Sequence, residues 1–312
     1  MLYFIVNQKS RSGRGAAIWN EVEAALKQKK IYYQAWTTEY EGHAMELAGE
    51  ICGRKEEDIC LVVVGGDGTA NEVINGMTHF EKVRFGTIPT GSGNDLARGL
   101  GIKGSPTECL ERILACRDRG ADACFAMDLG QVRWKGGDAP RLFAISSGIG
   151  LDALVCKKAL RSKIKDFLNK IHLGSLTYVV LTIQSLFTMK TADATVSFDR
   201  KQPRGYKKNI ALAVMNFPAE GGGVPFAPHA NATDGKLSAC SIFNVSRVRA
   251  FFSLPFLVAG RHVWIPGFEI TDCAECRIHL KAPMVLHADG EYCGDVADAV
   301  FTCLPKKLRV LI

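Results

Sequence analysis

Leu61-Val62-Val63-Val64-Gly65-Gly66-Asp67-Gly68-Thr69-Ala70-Asn71-Glu72 decides how this chain folds. Its first four residues are apolar and mostly β-branched, with no alternating polar face. That is the pattern of a strand buried on both sides in a parallel sheet. Gly65 and Gly66 let the chain turn at the strand's carboxyl end and let backbone approach a ligand closely. Thr69 and Glu72 fit a T-x-x-E capping box, which predicts a helix starting there with exposed N–H groups and a positive dipole end. Such a start suits phosphate, and Asp67 stands where a metal-bound or catalytic carboxylate belongs at the edge of an open sheet. The plain alternative is a tight glycine turn with no ligand.

Outward from this stretch, strand-like segments recur at Leu2 to Val6, Tyr32 to Thr37, Ile59 to Val64 and Val83 to Ile88. Helical patterns lie between them, at Ala16 to Lys29, Gly42 to Ile51 and Ala70 to Met77. The alternation predicts a parallel sheet covered by helices, with ligands at the edge where the strands finish. Three loops converge there. One is the basic run Asn7 to Gly15, one is the opening stretch, and the third is Pro89-Thr90-Gly91-Ser92-Gly93-Asn94-Asp95-Leu96-Ala97-Arg98. In the third, Ser92 with Asp95 can cap a helix, though Asp95 also suits a plain first-turn charge. No Walker A pattern occurs in the chain, so the phosphate cradle expected here is of another kind.

The 312 residues suffice for two domains, and 47% hydrophobic with 23% charged residues is the balance of a folded soluble protein. A formal charge of +7 suits a polyanion such as a nucleotide or an anionic membrane face; no nucleic-acid partner is expected. Eleven scattered cysteines, with Cys273 and Cys276 as a lone C-x-x-C, point to reduced thiols in a cytoplasm. The N-terminus has no basic leader, and the longest uncharged stretch, Leu173 to Met189, falls short of the ~20 apolar residues of a membrane span. The expectation is a cytoplasmic protein, soluble or peripheral at the inner membrane face.

From Ala123 the alternation stops. Cys124 to Trp134, Arg141 to Gly148, Ala194 to Phe198, Lys208 to Met215, Lys236 to Ile242, Arg277 to Leu280, Met284 to His287 and Val300 to Leu304 read as strands separated by turn signals. The fold class is therefore an α/β N-terminal domain over 1–122 and a mainly antiparallel β domain with inserted helices over 123–312. Whether Lys306 to Ile312 returns to the first domain stays open. A helical insert runs from Leu151 to Met189; Leu160, Ile164, Phe167, Leu168 and Ile171 keep helical spacing among Lys157, Lys158, Arg161, Lys163, Lys165 and Lys170. A second apolar run, Ala250 to Gly260, is flanked by Arg247, Arg249 and Arg261. These stretches suit the walls of a lipid-tail site with basic residues against anionic headgroups. Ordinary core-facing helices with a solvated basic face explain them equally well. The seven histidines show no ligand spacing and read as structural or surface residues.

Gly65-Gly66-Asp67-Gly68-Thr69 followed by Asn71-Glu72 resembles the diacylglycerol kinase catalytic-domain family, which includes soluble bacterial lipid kinases and their sphingosine kinase relatives. Pro89 to Arg98 is similar to that family's second glycine motif, with Ser92 where bacterial members often carry Thr. Asp289-Gly290-Glu291 looks like its D-G-E signature, and Asn231-Ala232-Thr233-Asp234-Gly235-Lys236 resembles its metal-holding loop. The matches run from residue 7 to 291 in the expected order.

The resemblance implies a two-domain, ATP-dependent lipid kinase with an NAD-kinase-like first domain, its active site in the interdomain cleft, and Mg²⁺ as cofactor. The acceptor it implies is diacylglycerol or a similar lipid, giving phosphatidic acid in phospholipid metabolism. Carried over by position, ATP contacts come from Asn7, Ser12, Gly13, Thr38, Gly66, Asp67, Gly68, Thr69, Ala70, Asn71, Glu72 and Ser92. Glu291 matches the proton acceptor, with Asp67 competing for that role on the sphingosine kinase pattern. The magnesium site matches Asp234 with the backbone carbonyls of Asn231 and Lys236. Asp67, Asp95 and Asp128 match acidic positions of the catalytic Mg²⁺–ATP network. Two other readings stand beside this one: a soluble-substrate kinase of the NAD-kinase type, and a non-catalytic lipid or nucleotide sensor. The acceptor lipid and the formation of a homodimer are left open.

Overall fold

The structure is a computed structural model that describes the backbone of residues 1–161 and 174–312, without the side chains of Ser12, of residues 159–161 and of residues 174–179. The expected spacing at Leu160, Ile164, Phe167, Leu168 and Ile171, the charges at Arg161, Lys163, Lys165 and Lys170, and the side chain of Ser12 lie outside the described residues. The chain divides into two units, Met1–Asp128 with Pro305–Ile312, and Leu129–Leu304.

In the first unit, strands β1 (Leu2–Val6), β2 (Gln34–Thr37), β3 (Ile59–Gly65) and β4 (Val83–Pro89) form a parallel sheet in the order β2-β1-β3-β4. Between and after them lie helices α1 (Ser10–Gln28), α2 (His43–Cys52), α3 (Asp67–Gly76), α4 (Asp95–Gly99) and α5 (Pro106–Arg119). Every residue of β1 and β3 is buried, as the run of β-branched residues requires of a strand covered on both faces. Side-chain alternation divides the core. Leu2, Phe4, Val6, Cys60, Val62 and Val64 pack with Trp19, Val22 and Leu26 of α1 and Leu110 and Ile113 of α5. Tyr3, Ile5, Leu61 and Val63 therefore point to the other face, where α2 packs on α3. Helix α1 begins at Ser10, earlier than the apolar spacing from Ala16 indicates. The Ser10 hydroxyl donates to the Asn7 carbonyl (2.8 Å) and meets Thr90 Oγ1 (2.6 Å), which pins the helix start to the sheet edge.

The C-terminal residues belong to this unit. Strand β14 (Glu291–Val310) ends by pairing Arg309 and Val310 in parallel with Arg84 and Phe85 of β4, and Leu311 N donates to Phe85 O (2.7 Å). Asp128, fully buried, accepts the Lys306 N–H (2.6 Å).

The second unit is antiparallel. It comprises β6 (Arg141–Phe143), β7 (Ser146–Gly150), β8 (Ala192–Phe198), β9 (Arg204–Asn209), β10 (Ala211–Met215), β11 (Leu237–Ile242), β12 (Phe268–Cys273), β13 (Glu275–Ala288), most of β14 and, from Leu129 on, β5 (Phe125–Trp134), whose first four residues belong to the first unit. The order is β12-β11-β10-β7-β13-β14, with β8 and β9 beside the first half of β13. The two strands expected at Arg277 to Leu280 and Met284 to His287 are one, β13, whose pairing to β14 is irregular between His279 and Met284. Helices α6 (Leu151–Arg161), α7 (Gly174–Thr188) and α8 (Arg247–Val258) are inserted among these strands. The α/β unit followed by an antiparallel unit with inserted helices is the fold class expected. None of the eleven cysteines is joined in a disulfide, and among the described residues no helix is long and apolar enough to cross a membrane.

The returning tail buries Leu308, Val310 and Leu311 in the first unit. Removing a fully buried leucine side chain costs about 2–5 kcal/mol. Leu308→Ala is expected to lower resistance to urea by that amount, read by Trp fluorescence; an unchanged midpoint would show that the tail does not support the unit.

Candidate active site

Backbone hydrogen bonds bring four chain exits together at the carboxyl edge of the parallel sheet. Thr38 N donates to Val6 O, Asn7 N to Val64 O and Thr90 N to Gly65 O, each at 2.9 Å. The two glycine turns then touch. A Cβ on Gly66 would stand 3.3 Å from Gly91 Cα, and one on Gly91 would stand 3.0 Å from Gly66 Cα, so a side chain on either glycine would have to shift the facing backbone. Asp67 fastens them: Oδ2 accepts Asp95 N–H (3.0 Å) and Oδ1 accepts Leu96 N–H (3.1 Å). The cap of α4 thus comes from the neighbouring turn. Asn94, the residue before α4, has φ 52° and makes no side-chain cap; its Nδ2 donates to Gly91 O (3.0 Å). Arg98 pairs with the Asp95 carboxylate and donates to Gly93 O (2.8 Å), closing the second turn.

The expected capping box is not formed, because α3 begins at Asp67 behind Gly66 and carries no side-chain cap. Thr69 therefore lies inside the first turn, where its Oγ1 accepts from Asn7 Nδ2 (3.0 Å). Glu72 Oε2 accepts Ala44 N–H (3.2 Å) and so caps α2 instead. The cap expected from Ser92 and Asp95 is likewise replaced by Asp67. Asn7, Thr38, Gly66 to Glu72 and the turn holding Ser92 and Asp95 thus share one edge, and Asp128 lies under the returning tail.

In the second unit, Glu291 follows a two-residue turn in which Asp289 (φ 48°) and Gly290 (φ 86°) take the left-handed backbone of a type I′ hairpin. The Asp289 carboxylate accepts the N–H groups of Ala144 (2.8 Å), Ile145 (2.8 Å) and Ser146 (3.0 Å), and Asp289 N returns a bond to Ser146 O (2.8 Å). Gly290 N donates to His287 Nδ1 (3.0 Å), and His287 Nε2 meets Asp152 Oδ2 (3.2 Å). Burial disfavours the imidazolium, but the hydrogen bond to Asp152 and the charges of Glu220, Asp152 and Asp289 outweigh it and raise the His287 pKa. In the neutral ring the Gly290 N–H aimed at Nδ1 leaves the proton on Nε2, facing Asp152. Glu220 accepts from the Ser146 hydroxyl, and Asp152, Glu220 and His287 lie within 4.8 Å of one another, all buried. Sequence reasoning missed Asp152 and Glu220 and gave His287 no link to the D-G-E turn. Single acidic residues beside strands of other segments carry no local pattern that would reveal them. The Asn231–Lys236 loop is built of two local turns: Asn231 Oδ1 accepts from Thr233 N (3.2 Å) and Oγ1 (2.8 Å), and Asp234 Oδ1 accepts from Lys236 N (3.0 Å).

Residues 1–126 match the diacylglycerol kinase catalytic domain model, and residues 145–312 match the YegS C-terminal NAD kinase beta sandwich-like domain model. The chain belongs to the diacylglycerol kinase family. It is 27% identical to the Bacillus subtilis protein named "Putative lipid kinase YtlR" over 94% of this chain and 93% of that one. It is 26% identical to a diacylglycerol kinase of the same organism over 86% and 84% of the two chains. The crystal structure of a diacylglycerol kinase from Bacillus anthracis shares the fold with a TM-score of 0.72 at 20% identity, over 99% of this chain and 96% of that one. As a family member the chain is a phosphotransferase of the lipid-kinase type.

Asp67→Ala leaves two amides of α4 without their carboxylate, and each unmet donor costs about 1–3 kcal/mol where water is excluded. The variant is expected to lose about 2 kcal/mol or more in denaturant titration and to lose hydrogen-exchange protection at Asp95 and Leu96. Unchanged exchange at those amides would contradict the fastening role.

Proposed function

We propose that this protein transfers the γ-phosphoryl group of ATP to a lipid hydroxyl, diacylglycerol before other lipids, giving phosphatidic acid for phospholipid metabolism. The observation that carries the reading is the pair of touching glycine turns held by Asp67 at one sheet edge. Helix α3 starts there with no side-chain cap, so its positive end suits a phosphate. On this reading Asn7, Gly13, Thr38, the turn from Gly66 to Glu72 and Ser92 surround the nucleotide, with the Ser12 side chain assigned by resemblance alone. Thr69 and Glu72 serve by holding Asn7 and α2 in place.

Phosphoryl transfer needs oriented phosphates, a metal ion and a positioned hydroxyl more than covalent help. Mg²⁺ prefers oxygen ligands, and the Asp234 carboxylate with the carbonyls of Asn231 and Lys236 is an all-oxygen set that fits it. Separately, Asp67, Asp95 and Asp128 are assigned to the acidic network of the catalytic Mg²⁺–ATP, whose ion, when bound, supplies charge neutralisation at the phosphates. Both oxygens of the Asp67 carboxylate are engaged by backbone N–H groups of the neighbouring turn, a holding role. Glu291, next to a turn pinned by three amides, is the better acceptor for the hydroxyl proton. A lipid acceptor and the net charge of +7 support work as a peripheral protein at an anionic, cytoplasmic membrane face.

The test is a mixed-micelle panel of diacylglycerol, ceramide, sphingosine and phosphatidylglycerol with ATP and Mg²⁺, read by mass spectrometry. Phosphatidic acid is expected, and Glu291→Gln is expected to lower kcat by roughly 10²–10⁴-fold with little change in KM for ATP. No phosphorylation of any of these lipids, with ATP consumed on adding NAD, would replace this reading by a soluble-substrate kinase.

A further inference from the structure

We infer that the outward face of α8 and the turn that follows it, through Trp264, is the surface by which this protein docks on an anionic lipid bilayer; the choice of partner rests on the lipid-kinase reading above. Helix α8 has two apolar faces. Ala250, Ser253 and Leu257 are buried against the second unit, whereas Val248, Phe252 and Phe256, spaced four apart, are exposed, with Phe252 at 67%. A surface helix ordinarily places polar residues on that outer stripe. Beyond the helix, His262 is fully buried and its Nε2 lies 3.0 Å from Phe226 O, which fixes a short turn. Its neighbours then face outward, Val263 partly and Trp264 at 87% exposure.

The platform is braced. The Arg247 guanidinium donates to the carbonyls of Phe187 (2.8 Å) and Met189 (2.6 Å), and the Phe187 ring, itself exposed on α7, stands 6.0 Å from Phe251. Charge settles the occupant. Residues 235–268 contain no Asp or Glu, and Arg249 and Arg261 are exposed beside the apolar stripe. Apolar and aromatic side chains ringed by arginine match the headgroup boundary of an anionic membrane, where Trp settles at the interface and each nearby arginine adds attraction. A second copy meeting this face through the same face would set arginine against arginine with no acid from the segment between them.

The test is sedimentation of the full chain, without ATP, with vesicles of phosphatidylcholine alone or mixed with phosphatidylglycerol. Wild-type protein, Phe252→Ser/Phe256→Ser/Trp264→Ser and Arg249→Gln/Arg261→Gln are compared, each checked for native thermal unfolding. The triple variant is expected to bind mixed vesicles at least about tenfold more weakly. The arginine pair should weaken binding by about 25-fold, about fivefold per charge, on mixed vesicles only. Brominated lipids should quench wild-type fluorescence but not that of Trp264→Phe. The loss of activity on vesicle-borne diacylglycerol in the triple variant should exceed its loss on a water-soluble short-chain acceptor by about tenfold or more. Undiminished vesicle binding by the triple variant overturns the docking surface and leaves the kinase reading intact. A wild-type dimer that the triple variant dissolves overturns it too, in favour of a second copy. Vesicle binding as expected, with no lipid phosphorylated, refutes the kinase reading and leaves the surface standing.

Discussion

The carboxylate of Asp67 accepts two backbone N–H groups from the turn that follows the next strand, and the arrangement of the carboxyl edge of the first unit depends on that pair of bonds. Helix α4 spans five residues, too few to be stable alone, and it has no side-chain cap of its own. Asp67 supplies the cap while Gly66 and Gly91 pack backbone on backbone. The sheet beneath holds the two turns at one height, since Gly65 pairs with Pro89 and Val6 with Val64. One carboxylate therefore joins two strand ends, two glycine turns and two helix starts.

The second unit uses the same device. Asp289, again an aspartate followed by glycine, accepts three consecutive backbone amides at Ala144 to Ser146 and so fixes the turn that carries Glu291. His287 adds a bond to Gly290 and leans on the buried Asp152. In each unit the aspartate's task is to hold backbone, which fixes the turn beside it.

The strands of the first unit were legible because a parallel strand buried on both faces reads as an unbroken apolar run, as Leu61 to Val64 does. The glycine turns were legible because a close backbone approach favours glycine on both sides. The helix starts were not. Thr69 and Glu72 satisfy a capping pattern in sequence, yet their side chains bond Asn7 and Ala44, partners far along the chain that no local pattern contains. Helix α1 starts at Ser10 for the same reason, through a bond to Thr90. In the second unit β13 looked like two strands because its pairing with β14 slips at the polar break. Asp152, Glu220 and His287 come together from three separate segments, which only the folded sheet can do.

On the proposed function, the touching glycine turns hold the triphosphate of ATP. The most direct measurement is calorimetric titration of Mg²⁺–ATP into wild-type protein and Gly91→Val, with thermal unfolding confirming that both are folded. Side-chain atoms at position 91 must push the turns apart, since a Cβ alone meets Gly66 Cα at 3.0 Å. Binding to Gly91→Val is expected to be at least about tenfold weaker, or about 1.4 kcal/mol. Equal affinity in a folded variant would contradict it.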